Sequence, residues 1–209
     1  EIHIKMKNND LAIQDFTTAL QKDSSRYNQF IHFKRGLAYF NQQKYQESIY
    51  DFKQNLSIDT TSKGAAYNIA IAYQILQKLD SALIFLDKTL KIDAKYEMAL
   101  SLKWKILKAQ NKKDLMLSTL NQLITINSKN EEALLNRAQH YFEEKNWEKC
   151  IYDLDLAYGA NPKNSNSLFV KGICLMNNNQ TAEACNEWKK ALQMGNNNAM
   201  NYLKMYCKF

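Results

Sequence analysis

The chain has 209 residues, 45% hydrophobic and 23% charged, a balance that excludes a disordered segment and provides for a sizeable core. One proline and five glycines exclude a collagen-like chain and argue against a β-sandwich, pointing to helices joined by short polar turns. The formal net charge of +7 reads as a solvated lysine-rich surface, with attraction to acidic partners as the alternative.

No apolar run reaches the roughly 18–20 residues that span a bilayer. No signal or lipidation motif is present, an absence without weight because the chain begins with Glu1 rather than Met. In chain order, apolar periodicity predicts helices near 10–22, 29–42, 46–57, 63–76, 80–91, 97–110, 113–126, 131–144, 147–159, 165–177, 181–193 and 198–207. The stretch Arg35–Phe52 is the clearest unit. Gly36 and Tyr39 share a face of its first helix, and Ser48 and Phe52 share a face of its second, about the turn Asn41-Gln42-Gln43-Lys44. A small residue opposite a large one lets two antiparallel helices interlock.

This hairpin recurs at 34 residues without insertion. Its first small slot reads Gly36, Ala70, Trp104, Ala138, Gly172, and its second Ser48, Ala82, Met116, Cys150, Ala184. The bulky slot reads Phe52, Leu86, Leu120, Leu154, Trp188. In period and slots the whole chain resembles the tetratricopeptide-repeat family. The resemblance implies an all-α fold, a right-handed superhelical solenoid of antiparallel helix hairpins over 1–209. Its parts are a partial repeat at 1–28, repeats at 29–62, 63–96, 97–130, 131–164 and 165–198, and a capping helix at 198–209. Repeat 97–130 departs from the pattern, because Trp104 and Met116 fill small slots; we expect it to be splayed or shifted. Upstream, Ala12, Phe16 and Ala19 match a second helix, residues 1–7 the end of a first helix, and Ser25-Arg26-Tyr27-Asn28 a two-residue insertion. The chain thus opens in mid-repeat, and we expect the native protein to continue upstream.

No catalytic constellation stands out. The histidines are His3, His32 and His140; His140 with Glu144 is expected to be a surface pair, since no third ligand lies nearby. Glycine-rich phosphate loops and nucleophile elbows are missing. No cofactor and no metal is expected, and the protein is expected not to be an enzyme. Of the four cysteines, Cys150 reads as a small buried hydrophobe in the seam. The segment from Ala182 to Cys207 resembles the closing segment of repeat proteins of this family in bacterial envelopes. That resemblance implies a Cys185–Cys207 disulfide and an oxidising compartment, the alternative being free thiols. It tilts the expected location toward a bacterial periplasm or envelope over the cytoplasm.

In such a solenoid the first helices line the concave face. The candidate partner-binding residues are Phe30, Phe33, Leu37, Phe40 and Asn41, then Tyr67, Ile71 and Gln74, then Lys105 and Lys108, then Gln139 and Phe142. An aromatic groove fits an apolar peptide or an amphipathic helix; Lys105 and Lys108, three apart, fit an acidic peptide or a solvated basic face. Some family members grip a C-terminal carboxylate with Lys, Asn and Arg on three successive first helices. Asn68 and Asn136 occupy the asparagine-type slot, but the surrounding slots hold other residues, so no chaperone-tail adaptor is expected. The expected function is a non-enzymatic interaction scaffold for a protein or peptide. The alternative is a structural segment of a larger bacterial envelope or secretion assembly. Nucleic-acid binding is not expected, because the lysine cluster is confined to one repeat.

Overall fold

The computed structural model describes residues 9–22 and 27–207. Residues 1–7 with His3, the insertion positions Ser25 and Arg26, and the end of the cap at 208–209 lie outside the described residues. Among those described there are twelve helices and no strand. They are α1 Asn9–Lys22, α2 Asn28–Asn41, α3 Tyr45–Ile58, α4 Lys63–Ile75, α5 Leu79–Ile92, α6 Glu97–Ala109, α7 Lys113–Ile126, α8 Glu131–Glu143, α9 Trp147–Ala160, α10 Ser165–Asn177, α11 Thr181–Gln193 and α12 Asn198–Tyr206. Each lies within one residue of the expected span. The chain divides into two compact units, Glu1–Ile106 and Leu107–Phe209. The division falls two residues after Trp104, which is itself buried at 4% exposure.

Two turn types set the period. Within each hairpin the first helix ends on a left-handed residue: Gln43, Gln77, Asn111, Lys145 and Asn179, with φ of 60, 58, 55, 55 and 62°. These positions are spaced by the repeat length. At the first of them Gln43 N–H donates to the Phe40 carbonyl and Lys44 N–H to the Tyr39 carbonyl, the paired closure that satisfies the last carbonyls of a helix. Between hairpins the second helix ends instead on an extended or near-extended Asp59, Asp93, Asn127 or Asn161. Each side chain accepts the N–H two residues on, from Thr61, Lys95, Lys129 and Lys163, so the carboxylate or amide holds the reversal. Gly195 takes the next position in that register with φ of 89°, and the turn into α12 closes by Asn196 N–H on the Ala191 carbonyl.

In the first unit the core comprises Ile49, Phe52, Leu56, Ala65, Ala66, Ile69 and Ala72, continued by Ala70, Ala82, Leu86, Ala99 and Ile106. In the second unit it comprises Ala138, Cys150, Leu154 and Cys174, and Leu168, Leu175, Ala184, Trp188, Ala191, Ala199 and Leu203. The small-to-large seam is direct. A Cβ built on Gly36 would stand 3.0 Å from the Phe52 ring, and one on Gly172 would overlap the Trp188 indole.

A second, polar periodicity runs beneath the seam. Arg35 makes a two-pronged pair with fully buried Asp51 on its own hairpin, at 2.7 and 2.8 Å, and donates to Thr17 on α1. His32 Nδ1 lies 2.8 Å from the same Asp51. Arg137 repeats the arrangement with Asp153, at 2.8 and 2.6 Å, and with Asn121 on α7. Lys171 does so with Glu187 and with Asp155 on α9. In both arginines the hydrogen bonds to the aspartate raise the guanidinium pKa against the opposing cost of burial. For Lys171 burial pulls the ammonium down, but Asp155 and Glu187 outweigh it.

Candidate functional site

The expected groove residues fall into three groups. Phe33, Leu37 and Phe40 are half-buried and pack on the first unit's core. Phe33 meets Phe52 with ring centroids 5.5 Å apart and lies against Gly64. They therefore carry stability as well as any contact surface. Phe142 similarly packs edge-on against Trp147 at 5.4 Å. Phe30 is 61% exposed with Lys34 over its ring at 5.5 Å. Asn41, at the end of α2, is exposed, and Ile71 and Gln74, both on α4, are half-buried.

The structure brings Tyr67 and Lys105 together. They line a pocket of ≈ 360 Å³ with Glu97, Met98, Ser101 and Leu102. Tyr67 comes from α4 and the others from α6. The Tyr67 ring meets Tyr96 edge-on at 5.2 Å. Burial, reinforced by Tyr96, pushes its phenol above the usual tyrosine range, so it stays a neutral donor at physiological pH. Met98 is 56% exposed on the rim. A flexible thioether beside a fixed aromatic is a surface that adapts to apolar side chains.

Lys108 and Gln139 meet in a different pocket, of ≈ 200 Å³, lined by Lys108, Asn111, Lys113, Met116, Asn136, Gln139, His140 and Glu143. Lys105 and Lys108, read from their spacing as one basic face, thus belong to separate pockets. His140 is buried at 9% exposure, which corrects the expected surface pair. Its Nδ1 has no hydrogen-bond partner. Glu143 accepts from Lys113 at 3.1 Å and from the Gln139 side-chain amide at 3.2 Å, and these bonds hold the Glu143 carboxyl below its usual range. Sequence reasoning missed this pocket. The available signal was Asn136, His140 and Glu143, three and four apart on one face of α8, facing the lysine cluster.

The cysteines lie in two pairs. Cys185 and Cys207 have their sulfurs at bonding distance, with Cα atoms 5.9 Å apart. Cys150, in its seam slot, pairs with Cys174, Cα atoms 6.7 Å apart; sequence reasoning did not foresee this second pairing. Both cysteines of that pair are fully buried. Among the described residues no group of three or more His, Cys, Asp or Glu could hold a metal ion. No helix of the described residues is long and apolar enough to cross a membrane.

No protein-family model and no curated protein matches the sequence. Solved structures do match. YrrB, described as a TPR protein with an unusual peptide-binding site, is 14% identical and superposes with a TM-score of 0.70 over 91% of this chain and 98% of that one. MamA is 17% identical, with a TM-score of 0.68 over 83% of this chain and 95% of that one. A tetratricopeptide repeat protein from Parabacteroides merdae is 16% identical, with a TM-score of 0.67 over 99% and 95%. Likeness at this level of identity shows the fold: an all-α array of tetratricopeptide-type hairpins.

Proposed function

We propose that the chain is a non-enzymatic scaffold that binds a peptide or protein partner on the exposed face of its first helices. The observation that carries this reading is the pocket between α4 and α6. There a neutral tyrosine, an exposed methionine and a lysine stand on two packed helices. Groups fixed by helix packing lose little entropy when a ligand arrives, so a modest pocket binds a short segment usefully. Such a site takes an apolar side chain against Tyr67 and Met98, with a polar or acidic neighbour toward Lys105. The likeness to YrrB supports the reading by fold, since that protein is described as binding a peptide.

The test is selection of binding peptides from a displayed random library. Selected peptides should lose at least about tenfold in affinity for Tyr67→Ala/Met98→Ala. They should bind Tyr50→Ala, altered on a second helix, like the parent chain. Peptides insensitive to the first variant, or none selected, would overturn the reading.

A second reading is a structural segment of a larger bacterial envelope or secretion assembly. The two cysteine pairs favour it, because stable disulfides belong to oxidising compartments such as the periplasm. Alkylation of the native protein under denaturing conditions, followed by mass measurement, is the check. Four alkylated thiols would remove this reading and the periplasmic location with it.

A further inference from the structure

Lys108 differs from four other cations of the second unit. Lys113, Arg137, Lys171 and Lys190 each meet a carboxylate. Lys108 Nζ donates instead to the side-chain oxygen of Asn136, at 2.6 Å. A neutral amide positions an ammonium but does not neutralise it, so the full charge stays available to an incoming anion. Asn136 is itself held, because its amide nitrogen donates to the Glu132 carbonyl at 2.7 Å. The pocket beside Lys108 is rich in polar groups: Lys113, Asn111, Gln139 and the imidazole of His140, whose Nδ1 has no hydrogen-bond partner.

We propose that this pocket holds a single carboxylate of the bound segment, supplied by an acidic side chain or by a peptide C-terminus. The inference rests on the scaffold reading above and names the chemistry of a second contact. Charge decides for a monoanion. The lysines and carboxylate of the lining, Lys108, Lys113 and Glu143, sum to +1, and one carboxylate brings that sum to zero. A phosphate dianion would overshoot and press against Glu143. Volume agrees, since ≈ 200 Å³ admits one side chain or chain end but no folded element. The site draws on the turn residue Asn111 and on Lys113 of a second helix, so it differs from a grip built on three successive first helices.

Nuclear magnetic resonance of the ¹⁵N-labelled whole chain tests this. N-acetylglycinate supplies a terminal carboxylate and N-acetylaspartyl N-methylamide a side-chain carboxylate. N-acetylasparaginyl N-methylamide and inorganic phosphate are the controls. At least one carboxylate probe should shift the Lys108, Asn136 and His140 resonances saturably, and the stronger probe identifies the source. Lys108→Ala should weaken that response about tenfold, the loss of one charge-assisted contact, while Lys108→Arg retains it. Lys108 is exposed, so the alanine variant should keep the parent spectrum elsewhere. The proposal falls if neither carboxylate gives a saturable shift, if Lys108→Ala responds like the parent, or if the asparaginyl or phosphate probe matches the carboxylates. Peptides that still bind through Tyr67 while the carboxylates fail would sink this proposal alone; carboxylate shifts without Tyr67-dependent peptides would sink the scaffold pocket alone.

Discussion

The hairpin Asn28–Ile58 and the hairpin Lys63–Ile92 fill the same buried slots with opposite chemistry. In the first, Arg35 clasps Asp51 and reaches back to Thr17. In the second, the same positions hold Ile69, fully buried, and Phe85. The position corresponding to Thr17 becomes Lys53, whose ammonium lies over the Tyr73 and Phe85 rings at 5.7 and 5.8 Å. Both solutions leave the neighbouring helices in one register. The slot therefore demands filled volume and satisfied polar groups, and either an ion pair or a hydrocarbon meets that demand.

The comparison breaks most sharply at Asp51. Asp51→Ala strands a largely buried guanidinium and removes the partner of His32, and should cost about 3–5 kcal/mol, read by urea or thermal unfolding. On the apolar side, Ile69→Ala removes a fully buried side chain and should cost about 2–4 kcal/mol. The transplant Arg35→Ile/Asp51→Phe converts the first hairpin to the chemistry of the second. It should lose less than Asp51→Ala alone, falling within about 1.5 kcal/mol of the parent. A larger loss would show that the ionic lock is specific to its hairpin. Gln43→Gly and Gln77→Gly should each gain up to about 1 kcal/mol, because both hairpins use a left-handed residue that bears a Cβ.

The smallest effect separates buried from exposed ion pairs. The second hairpin carries Lys63–Asp93 on its surface at 2.7 Å. The hydrogen bond from Lys63 holds the Asp93 carboxyl below its usual range. A group with a lowered folded pKa contributes fully above the ordinary carboxylate range and loses its contribution as pH falls through the lowered value. Asp93→Asn should therefore leave unfolding nearly unchanged at neutral pH in moderate salt, while the parent's Asp93 carbon signal titrates below that of a reference aspartate.

Much of the fold was legible because a slot such as Gly36, opposite Phe52, is constrained by shape alone, and shape recurs with the period. The locks were harder to read. Arg35, Arg137 and Lys171 alternate with Ile69 and Lys103 in the same slot, so no property is shared at a glance; the regularity emerges only beside Asp51, Asp153 and Glu187, the partners sixteen residues on. The left-handed turn residues Gln43, Gln77, Asn111, Lys145 and Asn179 were opaque for the same reason, since backbone closure by Schellman-type hydrogen bonds sets their conformation. The candidate site was half legible. Tyr67 and Lys105 share a pocket, but Phe33 and Phe40 divide their surface between groove and core, a division that helix periodicity does not resolve. His140 looked superficial because the residues that share its pocket, Lys108, Lys113 and Met116 among them, come from other helices.

The locks also bear on the order of assembly. Arg35 and Asp51, like Arg137 and Asp153, are 16 residues apart, so each closes a short loop whose entropic cost is small and independent of the rest of the chain. A hairpin locked in this way can then form first and offer its second helix to a neighbour, which favours refolding by local closures with fast kinetics and more than one starting point.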